Sequence, residues 1–243
     1  MFPLPYAPPF GAILYTLLGL DLALLGWGLA FGPGDGTGSG RLPLSVRMAL
    51  SAILVVAAGL QVWLGGAAVA YARWIGLGMS LGFLGDLIMA RLIRVPDRLI
   101  FGMLAFGLGH MAYIAGLATF GLGIAPLNLA LWALACLVGA GLWCALVQKP
   151  GGARGLNAAA LVYSLLVATL NAFALSLAVR NARFVPLALG ALLFLASDTV
   201  LGRWVIRGHA CKRVNDLVWL TYNLGQLLIV YSTAAALNVL VGR

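Results

Sequence analysis

Two aspartates, Asp86 and Asp198, stand inside long apolar runs of the sequence. Asp86 precedes Arg91 by five residues, and Asp198 precedes Arg203 by the same number. An aspartate in hydrocarbon costs about 2.5–3.5 kcal/mol on insertion scales, so it normally faces other helices and has polar partners. Two carboxylates in one poorly solvated site tend to hold different protonation states, which supplies an acid and a base together. We therefore predict that the two aspartates form a catalytic pair; the alternative is that each packs against the arginine that follows it.

Polar and aromatic side chains recur at helical spacing on the runs around the two aspartates. His110 and Tyr113 lie on one run, Tyr222 and Gln226 share a helical face on another, and Tyr163 lies on a run between them. A single such residue in a membrane helix is often only a hydrogen-bond partner of a neighbouring helix. Their recurrence on alternate runs favours a lined cavity, so we predict all five as substrate-binding residues.

The composition predicts that these runs cross a membrane. Hydrophobic residues make up 63% of the 243 residues and charged residues 9%, with a mean hydropathy of +1.05, whereas soluble domains carry about 25% charged residues. At about 20 apolar residues per crossing, the chain has room for about eight crossings and for no soluble domain. We predict an all-α, polytopic membrane protein with a single membrane domain over residues 1–243. The predicted spans are 10–31, 46–64, 71–90, 97–119, 125–147, 156–178, 184–205 and 214–240.

The net charge of +9 at pH 7 is spread over the connections between the runs. It forms no extended basic face, so nucleic acid is not an expected partner. Eleven of the fifteen Lys and Arg residues fall in the connections that follow runs one, three, five and seven. The positive-inside rule puts that side in the cytoplasm and both termini outside. We expect a bacterial inner-membrane protein whose first run is a retained span, and the sequence predicts no oligomeric state.

No metal and no cofactor is expected. The chain has two histidines and no glutamate, and Cys136, Cys144 and Cys211 have neither metal-ligand nor disulfide spacing. The nucleophile-elbow, zinc-protease and phosphate-loop motifs are also missing.

Three further aspartates have simpler interpretations. Asp97 and Asp216 lie where helices are predicted to begin, a position that favours negative charge. Asp21 stands in the middle of the first run without a motif around it. For Asp21 we expect either a structural role or a place in the cavity.

A weak internal repeat relates the two halves of the chain. His110 comes twenty-four residues after Asp86, and Tyr222 comes twenty-four residues after Asp198. The third and seventh runs cross in the same direction, so this spacing favours a parallel pseudo-repeat of four plus four helices. Chance is the alternative, because only two spacings coincide.

Four segments contain most of these residues. They read SLGFLGDL at 80–87, FGLGHMAY at 106–113, GALLFLASDT at 190–199 and TYNLGQLL at 221–228. In this order and at this spacing they resemble the YhhN family, the bacterial and animal group that includes lysoplasmalogenase. The resemblance extends over runs three to eight and adds Ser197 to the candidate binding residues.

The resemblance implies an eight-span fold and hydrolysis of the vinyl-ether bond of lysoplasmalogens, a class of lysophospholipid, to a fatty aldehyde and a glycerophospho-base. This chemistry needs a proton on the alkenyl carbon, stabilisation of an oxocarbenium-like cation and addition of water. One protonated aspartate would be the general acid, and its ionised partner would steady the cation and activate water. The sequence does not divide these roles between Asp86 and Asp198. Candidates for a phosphate contact at the rim are Arg91, Arg94, Arg203 and Arg207.

The main alternative is a transporter for a small or lipidic solute. A parallel repeat with polar groups in the membrane is also a transporter arrangement, and paired aspartates can relay protons. An intramembrane aspartyl protease also needs two aspartates, but Phe83-Leu84 interrupts the Gly-x-Gly-Asp motif of such proteases. A non-catalytic lipid-binding or scaffold protein is a further alternative.

Overall fold

A computed structural model describes residues 4–34, 38–121 and 125–242 of the chain. Across these residues the protein forms eight long helices and no strand, which confirms the predicted all-α fold. The helices are α1 Phe10–Phe31, α2 Leu44–Trp63, α3 Val69–Met89, α4 Arg98–Ala118, α5 Pro126–Leu142, α6 Arg154–Arg180, α7 Val185–Val205 and α8 Val214–Val241. The short 3-10 helices Gly66–Ala68 and Ala182–Phe184 lead directly into α3 and α7.

All eight helices are long and apolar enough to cross a membrane. Large apolar side chains lie on the outside of the bundle: Phe31 is 75% exposed, Leu137 72% and Trp63 71%. An apolar surface of this extent is unusual for a protein in water, because it would drive association. The helices and their exposed surface are consistent with an integral membrane protein.

Helix α8 is the central element of the bundle and α5 the peripheral one. Buried residues of α8 extend from Val214 to Val239, and α8 packs against α1, α2, α3 and α7. Most residues of α5 are exposed, and this helix packs mainly on α6. The α-helical hydrogen bonding of α5 ends at Leu142, and a π-helical turn, Trp143–Val147, completes the span that the sequence predicts as one helix.

Two pairs of glycines bring the helices that carry the aspartates close to their neighbours. An added Cβ at Gly78 of α3 would lie 2.9 Å from the carbonyl oxygen of Gly109 on α4. An added Cβ at Gly190 of α7 would lie 2.9 Å from the carbonyl oxygen of Gly225 on α8. Small residues allow membrane helices to approach this closely. Each of the glycines on α3 and α7 stands eight residues before the aspartate of its own helix, so the two halves also correspond in this feature.

Two aspartates fix the chain where helices begin. Asp97 caps the start of α4, and its carboxylate accepts two backbone N–H groups of the first turn at 2.9 and 3.1 Å. Asp216 lies in the first turn of α8, as the sequence predicts. It also binds a segment that is distant in the sequence, which its position at a helix start does not predict. Its Oδ1 accepts the backbone N–H groups of Arg41 at 2.7 Å and Leu42 at 3.0 Å. Helix α8 therefore holds the segment that leads into α2, the helix that packs against α3.

Candidate active site

Asp86 lies near the end of α3 and is almost fully buried. Its Oδ2 accepts one hydrogen bond from Ser51 Oγ on α2 at 2.6 Å and another from the Tyr222 hydroxyl on α8 at 2.8 Å. Hydrogen bonds from O–H donors to an ionised carboxylate are short and strong. Two such donors on one oxygen stabilise an ionised Asp86 and fix the orientation of its carboxylate.

A chain of hydrogen bonds that begins on α4 orients the hydroxyl group of Tyr222. The Tyr113 hydroxyl on α4 donates to Gln226 Oε1 at 2.6 Å, and Gln226 Nε2 donates to the Tyr222 oxygen at 3.3 Å. Because the Tyr222 oxygen accepts from Gln226, its own proton points to Asp86. Gly82 leaves room for this chain, since an added Cβ there would lie 2.9 Å from Gln226 Nε2.

Asp198 lies in α7 and is part of a separate cluster with residues of α4 and α6. Its Oδ2 accepts a hydrogen bond from the Tyr163 hydroxyl at 2.6 Å and lies 3.7 Å from His110 Nε2. His110 Nε2 is 3.1 Å from the Tyr163 oxygen. Since the Tyr163 proton points to Asp198, His110 donates through Nε2–H, which assigns its tautomer from the network. Within the described part of the chain, His110 Nδ1 is buried without a hydrogen-bond partner.

Aromatic rings connect the two carboxylate clusters. The Phe194 ring lies 4.6 Å from the His110 ring and 5.3 Å from the Tyr222 ring, in both cases edge to face. Phe106 and Trp219 also pack against Tyr222, with ring centroids 6.0 and 5.3 Å away. These rings therefore join the two carboxylate clusters through one packed aromatic group.

A polar cavity of about 430 Å³ contains both aspartates in its lining. Helices α2, α3, α4, α7 and α8 form its walls, at the end of the bundle where α2, α4 and α8 begin. Its charged and hydrogen-bonding side chains include Arg47, Asp86, Arg98, Ser197, Asp198, Asn215, Trp219 and Tyr222. Asp86 also interacts electrostatically with Arg47 and Asp198, so the charges in this cavity act on one another.

A second cavity of about 70 Å³ lies between α4, α6, α7 and the π-helical turn. Its lining is mostly apolar, and Asp198 is the one acidic or basic residue among the described residues that form it. The two cavities share a wall. The residues of this wall are Met89, Phe106, Asp198, Leu201 and Val205. Asp198 thus stands where a polar and an apolar compartment meet.

The candidate residues predicted from the sequence take different places in this arrangement. Asp86, Asp198, Ser197 and Tyr222 line the polar cavity, and Tyr163 lines the apolar one. The other predicted binding residues, His110, Tyr113 and Gln226, lie outside both linings. His110 and Gln226 form hydrogen bonds to the lining residues Tyr163 and Tyr222, and Tyr113 donates to Gln226. Ser197 Oγ donates to the Val218 carbonyl oxygen at 3.1 Å, which ties α7 to α8 beside Asp198.

Several polar residues of the site, including Ser51, Arg47 and Arg98, are not among the sequence-based candidates. Ser51 binds Asp86, and Arg47 and Arg98 line the polar cavity. Arg47 and Ser51 are four residues apart on α2 and therefore share a helical face. That spacing is the signal in the sequence that links them. The four arginines predicted at the rim, Arg91, Arg94, Arg203 and Arg207, do not contribute to the lining of either cavity.

Asp21 has a structural place apart from the two cavities. It is fully buried, and its Oδ2 accepts a hydrogen bond from Asn223 Nδ2 at 2.6 Å, which joins α1 to α8. Of the two roles expected for Asp21, this contact corresponds to the structural one. Within residues 4–34, 38–121 and 125–242, no group of three His, Cys, Asp or Glu residues could hold a metal ion.

The fold and the site define a polytopic helical membrane protein with two carboxylates in one polar cavity. The model of the YhhN family matches residues 45–233, and the chain belongs to this family. The match covers most of the chain and begins in α2, one helix earlier than the four segments that resemble the family. It therefore includes Arg47 and Ser51 but not Asp21. No curated protein and no solved structure matches the chain.

Proposed function

We propose that the protein is an intramembrane hydrolase that cleaves the vinyl-ether bond of lysoplasmalogen-type lysophospholipids. Membership of the YhhN family is consistent with a hydrolase. The observation that carries the proposal is the position of Asp198 in the wall between a polar and an apolar cavity. In a lysoplasmalogen, the vinyl ether joins the apolar chain to the glycerophospho-base. With the vinyl end of the chain in the apolar cavity, whose volume of about 70 Å³ holds only the first few carbons, and the headgroup in the polar one, the scissile bond lies beside Asp198.

Asp198 is the general acid of the proposed reaction. It delivers a proton to the alkenyl carbon that is farther from the ether oxygen, and the electron pair of the double bond forms the new C–H bond. The remaining positive charge is shared by the other alkenyl carbon and the ether oxygen. The hydrogen bond from Tyr163 to Asp198 Oδ2, 2.6 Å long, strengthens as the acid becomes a carboxylate. An interaction that is stronger in the transition state than in the ground state lowers the barrier.

Asp86 is the ionised partner. The hydrogen bonds from Ser51 and Tyr222 stabilise its negative charge, and its position in the polar cavity gives it access to water. The carboxylate steadies the oxocarbenium-like cation and accepts a proton from the water that attacks the cationic carbon. As the C–O bond of the hemiacetal breaks, Asp86 returns its proton to the leaving glycerol oxygen and Asp198 accepts the proton of the hemiacetal hydroxyl. The products are a fatty aldehyde and the free hydroxyl of the glycerophospho-base, and both carboxyl groups regain their starting protonation states. One water molecule is consumed, and no oxidant or reductant is needed.

Three matched lysophosphocholines, with 1-alkenyl, 1-alkyl and 1-acyl chains of equal length, test the proposal on purified protein in detergent. Aldehyde is expected from the 1-alkenyl lipid alone, because a saturated ether and an ester have no vinyl carbon to protonate. In D₂O, the released aldehyde should carry one deuterium on the carbon next to the carbonyl. Failure to release aldehyde from any vinyl-ether lipid would refute the hydrolase. Lipid-dependent proton movement across reconstituted vesicles would then favour the transporter.

A further inference from the structure

Two arginines of the polar-cavity lining stand where α2 and α4 begin, at the mouth of the cavity. Arg47 is half-buried in the first turns of α2, and Arg98 is the exposed first residue of α4. Both helices begin at this end of the bundle, so their positive helix ends add to the two guanidinium charges. The cavity therefore has a basic mouth and an acidic interior.

The surroundings of Arg47 hold its side chain in place. Its Nη1 donates to Asn215 Oδ1 at 3.4 Å, and its guanidinium carbon lies 5.7 Å from the centre of the Trp219 ring. A guanidinium group that packs on an aromatic face directs its N–H groups outward in its own plane, and its planar fork matches the oxygens of a phosphate. Arg47 is thus oriented for an anion before the anion binds.

Arg98 supplies a second and more exposed positive charge. Its Nη1 donates to the Met89 carbonyl oxygen at 3.4 Å, a long hydrogen bond at the exposed edge of the cavity. Among the described residues, no carboxylate oxygen lies within 4.0 Å of its guanidinium group. An anion at the mouth would be a partner for this charge.

We infer that Arg47 and Arg98 form the binding site for the phosphodiester of the substrate headgroup. This inference rests on the proposed function, which puts the vinyl ether beside Asp198 and directs the glycerol into the polar cavity. The phosphodiester follows the glycerol and carries one negative charge, so the basic mouth is the complementary surface. Arginine binds phosphate oxygens through paired, charge-assisted hydrogen bonds. The site selects phospholipids over uncharged glycerol ethers of the same chain.

Two vinyl-ether substrates that differ only in the headgroup test this site. One is a 1-alkenyl glycerophosphocholine, and the other is the 1-alkenylglycerol without phosphate. Arg47→Gln should lower kcat/KM for the phosphocholine about 10- to 100-fold, the range of a hydrogen bond to a charged group, and leave the value for the alkenylglycerol within about twofold. Arg98→Gln should cause a smaller loss with the same selectivity, because exposed charges are screened. Arg154→Gln, at the exposed first residue of α6, is the matched control and should change neither value.

The phosphate-free substrate separates headgroup binding from the electrostatic effect of Arg47 on Asp86. An equal loss on both substrates, or no loss on either, would overturn the headgroup site while leaving the hydrolase intact. A binding measurement covers the case in which the phosphate site exists but the protein is not a hydrolase. The 1-alkyl lysophosphocholine has no vinyl group, so its dissociation constant reports binding without reaction. If wild type releases no aldehyde but Arg47→Gln still weakens this binding about tenfold or more, the phosphate site stands and the hydrolase fails.

Discussion

Removal of the Tyr163 hydroxyl group, by Tyr163→Phe, changes the support of the proposed general acid. This hydroxyl donates to Asp198 Oδ2 at 2.6 Å and lies 3.1 Å from His110 Nε2. A hydrogen bond to a charged group contributes about 1.5–3 kcal/mol, and one between neutral groups about 0.5–1.5 kcal/mol. If Asp198 is protonated in the substrate complex and ionised after proton transfer, the difference of about 1–1.5 kcal/mol is lost mainly in the transition state. We expect kcat to fall about 5- to 12-fold, with little change in KM.

The measurement is the initial rate of aldehyde release from a 1-alkenyl lysophospholipid in detergent, followed with an aldehyde dehydrogenase and NAD. Tyr71→Phe is the matched control. Tyr71 is also a buried tyrosine, but its hydroxyl pairs with Ser232 Oγ at 2.6 Å, and Tyr71 lines neither cavity. Thermal unfolding of both variants checks that the bundle is intact. The control should keep the wild-type turnover.

Two results would refute this reasoning. If Tyr163→Phe turns over as fast as Tyr71→Phe, the transition state does not depend on the hydrogen bond to Asp198, and Asp198 is not the acid. A loss well beyond about 1,000-fold would exceed what one hydrogen bond supplies and would make Tyr163 itself the proton donor.

Other side chains give predictions with matched controls. Ser51→Ala removes a hydrogen-bond donor from Asp86 and should lower kcat/KM about tenfold or more. Ser80→Ala is the control and should keep the wild-type value, because the Ser80 hydroxyl donates to a carbonyl of its own helix. Equal kcat/KM values for the two variants would contradict the role of Ser51. Gly190→Ala forces a Cβ to within 2.9 Å of a backbone oxygen on α8 and should lower the thermal stability, an overpacking cost of about 1–3 kcal/mol. Gly59→Ala meets no atom within 4 Å and should unfold no earlier than wild type. Asp21→Asn should keep wild-type aldehyde release, and a loss like that of an active-site variant would place Asp21 in the mechanism.

The membrane fold could be predicted from the sequence because composition alone reports it. Eight apolar runs of membrane-spanning length are visible without any contact being known, and the helices follow them closely. The aspartate pair is visible for a related reason, since a carboxyl group in an apolar run is energetically unusual. These features depend on the length and the hydropathy of each run. Both can be read from the sequence without knowledge of the contacts between helices.

The pairing of the side chains could not be predicted, because it depends on which helices pack together. The internal repeat relates His110 to Asp86 and Tyr222 to Asp198. In the fold the contacts are crossed: Tyr222 donates to Asp86, and His110 lies 3.7 Å from Asp198. The spacing along the chain indicated corresponding positions in the two halves, whereas contact requires neighbours in space.

Ser51 shows the same limit for a single residue. Ser51 and Ser80 are both serines in apolar runs, and the spacing of Ser51 from Arg47 does not show which neighbouring helix Ser51 contacts. Ser51 faces α3 and binds Asp86, while Ser80 returns its hydrogen bond to the carbonyl of Gly76 in its own helix. Both hydroxyls donate to an acceptor oxygen, so hydrogen bonding alone does not separate the two serines. Only the packing of α2 on α3 decides which of them belongs to the site. The wall shared by the two cavities is likewise a property of packed helices.

The central claim is that Asp86 and Asp198 act together on a vinyl ether. The most direct test is aldehyde release from a 1-alkenyl lysophospholipid by wild type, Asp86→Asn and Asp198→Asn, purified side by side in the same detergent. Each variant keeps the size of the side chain and removes its ability to exchange a proton, so each should lose about 100- to 10,000-fold in kcat while still binding the unreactive 1-alkyl lipid. Near wild-type turnover by either variant would contradict the two-aspartate mechanism.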